Sequence, residues 1–189
     1  MTIVLLAILA HHYWVMPQTW SPEVGDTVWC IIQGGHDLQA PEIEISPKMV
    51  RSITVEDPDG TLDTLSPDLR FAFVPTKEGL YVIRVELGPR RLREPRYVLY
   101  TLLPIGSSAS FRVPEEIGTV SDPQNWPRRN QPFRLTLKVP TYATTLSWQG
   151  DEKTLKGQTL TITPKDSGPF LLSLEQVTPV LSLLFEVRP

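Results

Sequence analysis

Short apolar or alternating runs, separated by Gly, Pro and Asp, recur along most of the chain. Thr27 to Ile32, Ser52 to Val55, Phe71 to Val74, Tyr81 to Leu87 and Tyr97 to Leu103 all have this form, and alternation over so few residues predicts strands rather than helices. Within Tyr81 to Glu86, the residues Tyr81, Ile83 and Val85 fall on one face and Val82, Arg84 and Glu86 on the other. Such a strand is expected to be half buried. Glu56-Asp57-Pro58-Asp59-Gly60 carries turn chemistry, with Pro fixing one torsion and Gly admitting a positive one. Its acids lack the oxygen count and spacing of a calcium loop.

The same pattern occurs twice. Pro75 to Glu86 lines up without gaps against Pro164 to Glu175, matching Gly79 with Gly168, Tyr81 with Phe170, Ile83 with Leu172 and Val85 with Leu174. Small shifts extend the match, pairing Val28, Cys30 and Ile32 with Phe133, Leu135 and Leu137, and Ile53 and Val55 with Leu146 and Trp148. Each half then holds about seven short strands, the number in an immunoglobulin-like sandwich. The sequence thus predicts an all-β protein of two tandem immunoglobulin-like β-sandwich domains, residues 11–104 and 105–189, behind an apolar leader, residues 1–10. Glu78-Gly79-Leu80-Tyr81 resembles the tyrosine corner of that fold, Ile83 faces Cys30 across the expected core, and Trp148 takes the place of the second core's tryptophan.

Composition narrows the picture. Nineteen prolines in 189 residues leave little room for long helices. A net charge of −3 argues against nucleic acid as an obligate partner, since phosphate binding needs concentrated basic surface. Cys30 is the only cysteine, so no disulfide forms within the chain, and its apolar neighbours predict a buried thiol. No apolar stretch approaches the ~20 residues of a membrane-spanning helix. The sequence contains no Ser-His-Asp spacing, phosphate-binding glycine loop or paired catalytic carboxylates, and no enzyme activity is expected. Arg90-Arg91-Leu92-Arg93-Glu94-Pro95-Arg96 reads as a solvated basic hairpin, with docking to anionic headgroups or an acidic transporter loop as the functional alternative. Trp20 and Trp126 are expected to pack in a core or between domains.

The chemistry-bearing residues gather near the start. Thr2 to Ala10 has the length of a signal h-region and ends on a small residue, although no basic residues precede it. Cleavage after Ala10 would leave His11 as the first residue, offering an α-amine and a ring nitrogen to one metal ion, and the amine's pKa of about 7.7 to 8.0 permits deprotonation near neutrality. The remaining histidines are His12 and His36. In a sandwich whose first two strands run antiparallel, His36 is delivered to the same end as His11. The connection from Gly34 to Met49 is much longer than its counterpart, Pro140 to Ala143, and loops longer than the scaffold needs often carry function. Gly34 and Gly35 would admit close backbone approach there. Imidazole and amine nitrogens suit nickel, copper and zinc. Asp37, Glu42 or Glu44 could complete the shell.

His11-His12-Tyr13-Trp14 with Pro17, then Pro22-Glu-Val-Gly25-Asp26-Thr27 and Gly35-His36-Asp37, resembles the NikK-like family of periplasmic nickel- or cobalt-binding proteins. The resemblance is sharpest over residues 10–37 and matches His11 and His36 to the family's histidines, with His12 as an addition. It implies an exported, periplasmic carrier of Ni2+ or Co2+ working beside a membrane nickel or cobalt transporter. After Gly-His the family has an aromatic and a proline where this chain has Asp37-Leu38-Gln39-Ala40-Pro41, which bears on metal preference. Two alternatives stand beside it: a non-catalytic immunoglobulin-like adhesion or scaffold module, and a Cu2+-binding histidine-brace protein.

Overall fold

The structure is a computed structural model, and it describes residues 12–89, 95–106, 109–174 and 179–189. Strands β1 (His12–Pro17), β2 (Val28–Gly35), β3 (Val50–Glu56), β4 (Leu62–Leu65), β5 (Arg70–Phe73), β6 (Gly79–Leu87) and β7 (Tyr97–Ile105) build the first sandwich. Strands β8 (Gly118–Val120), β9 (Phe133–Ser147), β10 (Glu152–Ile162), β11 (Gly168–Leu174) and β12 (Val180–Val187) build the second. The only helical element among the described residues is a 3-10 turn, Pro47–Met49. No described helix is long and apolar enough to cross a membrane. The protein is all-β, two tandem immunoglobulin-like sandwiches.

In the first sandwich, the sheet β1-β2-β5 covers the sheet β4-β3-β6-β7. Their facing residues, among them Val28, Cys30, Ile32, Ile53, Val55, Phe71, Ile83, Val85 and Leu99, form one core. Tyr81 closes its corner: its hydroxyl accepts hydrogen bonds from the backbone N–H groups of Thr76 at 3.0 Å and Lys77 at 3.3 Å. Below it, the Asp57 turn is tied by Lys77, whose ammonium meets Asp57 at 2.8 Å and Asp59 at 2.5 Å.

The second sandwich uses fewer, longer strands. The first part of β9 pairs with β8 and with Thr159–Ile162 of β10, and its later part, from Thr141 on, pairs with the start of β10 and with β11. One strand thus serves both layers, changing sheet at a bend, as sandwich corners allow. The expected Pro140 to Ala143 loop is therefore continuous strand. β10 makes the matching change through a register shift between Gly157 and Thr159.

The two sandwiches share a sheet. Strand β12 pairs in parallel with β7, from Val180↔Tyr97 to Phe185↔Leu102, so that both larger sheets join into the order β10-β9-β11-β12-β7-β6-β3-β4. Parallel pairing leaves the covering layers on opposite faces. Leu80, Val82, Val98, Tyr100 and Leu102 of the first sandwich enter the core of the second, alongside Leu135, Leu172, Leu183 and Phe185. On the reverse face, Leu146, Leu171 and Leu184 of the second sandwich pack with Trp14 and Leu38 of the first. β6 is half buried as its alternation suggests only over its second part, where Arg84 and Glu86 stay partly exposed; Val82 is buried on the face expected to be open.

Trp148 is also displaced from its expected role. Leu146 and the half-buried Trp148 belong to the cluster around Trp14, while Ala143 faces the second core. The shifted alignment of Ile53 and Val55 is three residues out of register, since they match Ala143 and Thr145 in the pairing, and any odd slip moves every side chain to the other face. Trp126 fills the core instead, with its indole N–H donating to the Glu186 carbonyl at 2.6 Å.

Two outcomes follow for denaturant unfolding. Tyr81→Phe removes the acceptor for two backbone donors and should cost about 1 kcal/mol. Leu184→Ala, at a fully buried site under the seam, should cost about 3 kcal/mol and lower the midpoint equally for probes placed in either sandwich. Separate midpoints would contradict the shared sheet.

Candidate functional site

Strands β1 and β2 pair antiparallel, with His12 opposite Gly35 and Tyr13 opposite Gly34. This register brings the start of β1 to the end of β2. The glycines permit close approach: a Cβ on Gly34 would lie 2.8 Å from the Tyr13 ring, and one on Gly35 would lie 2.7 Å from the Glu42 carboxylate. Glu42 also accepts the His36 backbone N–H at 3.1 Å. Asp37 turns the chain by accepting the Gln39 N–H at 2.8 Å, and Ile43 returns to the Gly34 carbonyl at 3.0 Å.

The connection is anchored to the second sandwich. Leu38, 2% exposed, sits in the cluster of Trp14, Leu146, Leu171 and Leu184. Gln39 donates to the Trp148 carbonyl at 2.6 Å, and the Trp14 indole donates to the Gln33 side chain at 3.0 Å. The loop is therefore held between the sandwiches.

His12, 3% exposed, and the half-buried His36 come together here, with ring centroids 6.2 Å apart and planes at 81°. His11 lies outside the described residues, as does the leader. Among the described residues no group of three or more His, Cys, Asp and Glu side chains is arranged to hold a metal ion. The pair His12 and His36, with the Glu42 carboxylate on the adjoining backbone, is what this end offers a cation. Cys30 stands apart in the first core, where burial pushes its thiol up to about 12.

Other features were not foreseen from the sequence. Residues Arg112 to Glu116 lie across the outer face of β3, β6 and β7 and close a cavity of about 590 Å³. Within it, the Tyr100 hydroxyl bonds the Glu116 carboxylate, Arg84 donates to Tyr100 at 3.1 Å, and Arg112 meets Glu56 at 3.4 Å. Burial, followed by the Glu116 hydrogen bond, pushes the Tyr100 phenol above its usual range. On the outer face of the β1-β2-β5 sheet, Arg70 lies 5.0 Å from the exposed Trp29 ring. Separations of 16 to 56 residues hid the cavity's partners. Pieces of the basic hairpin, Arg90 to Glu94, lie outside the described residues.

No family model matches the chain, and no curated protein matches it. Among solved structures, it is similar to the BSP domain of a biofilm-associated protein, at 12% identity and a TM-score of 0.28, covering 92% of this chain and 29% of that one. A tetra-tandem repeat from the extending region of a large adhesion protein gives 12% identity and a TM-score of 0.33, covering 94% of this chain and 49% of that one. The D0-D1 domain of intimin gives 8% identity and a TM-score of 0.27, covering 93% and 97%. This chain spans less than half the length of the first two. The sandwich architecture stands on the strand pairing itself.

The Cys30 thiol should be unreactive toward a thiol-modifying disulfide reagent at pH 8 in the folded protein and react fully in denaturant. Rapid native labelling, followed by absorbance, would contradict its burial.

Proposed function

We propose that this protein is an exported, non-catalytic immunoglobulin-like module that acts as a stiff binding scaffold. The observation that carries this reading is the β7–β12 seam. Enzymes and carriers that close around a ligand use hinges between lobes, whereas a sheet continuous through both sandwiches resists hinge motion. Loops at the ends of such a body are held in fixed relation, which suits presentation to a partner. The apolar stretch Thr2 to Ala10, read as an export signal, supports a place outside the cytoplasm. The test is deletion in the source cell, scored in parallel for surface attachment and for nickel and cobalt accumulation. Impaired attachment with unchanged metal content is the expected result. Unchanged attachment with reduced metal would overturn the scaffold reading.

A second reading is favoured by one specific observation, the meeting of His12 and His36 at 6.2 Å. Here the module carries Ni2+ or Co2+, with Cu2+ as the competitor, and hands it to a membrane transporter. The ligands would be the His36 and His12 rings, together with the amine and ring of His11 if processing exposes them. Calorimetric titration of nickel, cobalt and copper into protein beginning at His11 tests it. One tight site, weakened at least about tenfold by His36→Ala, is expected. Absence of heat for all three metals removes this reading and leaves the scaffold.

A further inference from the structure

A cleft of about 560 Å³ opens where the end of β6, the start of β7 and the start of β3 meet. Arg51, Arg84 and Arg96 line it together with Glu86, Gly88 and Pro179. Three guanidiniums in one cleft are notable on a chain whose net charge is −3.

Their commitments differ. Arg84 meets the Glu86 carboxylate at 2.7 Å and donates to Tyr100 at 3.1 Å, so the one carboxylate among the described residues lining the cleft is already paired. Among the described residues, neither Arg51 nor Arg96 has an ion-pair partner. Arg51 is nevertheless placed by its surroundings. Its guanidinium lies against Gly88, where an added Cβ would come 2.5 Å from Arg51 Nε. Arg51 stands on β3 and Arg96 beside the first residue of β7, with β6 between them. Two strand spacings separate them, about 10 Å across the sheet.

We propose that this cleft binds a ligand carrying two or more linked phosphate groups, with Arg51 and Arg96 each taking one group in a forked, charge-assisted pair. Arginine's planar fork matches phosphate oxygens bidentately. With their strands about 10 Å apart, one orthophosphate is short for reaching both guanidiniums, whereas linked groups can span the gap. The cleft has the volume of an ordinary small-molecule site. The hairpin segment 90–94 is not part of the assigned site. The same phosphate chemistry is available free in solution or on lipid headgroups, and the cleft's end-of-strand position is open to both.

The test uses the full chain at low salt, with two probes. Sodium tripolyphosphate is titrated by calorimetry against orthophosphate, and vesicles of phosphatidylglycerol in phosphatidylcholine are tested by co-sedimentation. Tripolyphosphate should bind at least about tenfold more tightly than orthophosphate, and Arg51→Gln with Arg96→Gln should weaken it by at least about tenfold. Gly88→Ala, which keeps every charge and only displaces the Arg51 head, should weaken it as well. Arg112→Gln, in the other cavity, should leave it unchanged. Binding to vesicles alone, lost in the double variant, assigns the same site to a lipid headgroup. Binding that persists in the double variant, or no binding of either probe, overturns the proposal.

Discussion

The parallel pairing of β7 with β12 governs the rest of the molecule. Each strand would otherwise be the bare edge of its own sheet, and a bare edge is a template for association with other chains. Here each edge covers the other. Parallel direction also decides which face each smaller sheet must occupy, because it inverts one sandwich relative to its neighbour. Both faces of β7 and β12, and of the first part of β6, are then buried, by residues such as Val82 and Leu102 on one side and Leu99 and Leu184 on the other.

Much of the architecture was legible in the residues because alternation is a local property. The duplicated segment around Gly79 and Gly168 fixed two equivalent strands, and the tyrosine corner at Tyr81 followed from its spacing. Trp148 was misplaced because short alternating runs can be matched at several registers, and an odd slip exchanges the two faces. The seam was harder, since no local rule says which distant edge a strand will find. One sign existed: Tyr97 to Ile105 is apolar almost without interruption, the composition of a strand buried on both faces. The sheet change within β9 left no comparable mark, because Pro140 reads equally as a loop residue.

The histidine end shows the same division. That β1 and β2 run antiparallel, and so bring His36 back to the start of the chain, could be argued from topology. That His12 would be the ring beside it required the register His12↔Gly35. Leu38 stood as a departure from the resembled family's pattern, and its role became clear only with Leu146, Leu171 and Leu184 around it. Arg96 was marked only as the end of a basic run, and Arg51 gave no signal, because three strands separate the two in sequence and only the sheet order brings them to one cleft.

The anchoring of Leu38 bears on how the molecule can be divided. The histidine-bearing connection belongs by sequence to the first sandwich, yet its hydrophobic footing is supplied by side chains more than a hundred residues downstream. Residues 12–105 taken alone would therefore present an open β7 edge and an unseated loop, prone to oligomerise and misleading about whatever the histidines do. This sandwich is not a bead that can be cut from the string with its edge and its loop intact; the unit that folds is the welded pair.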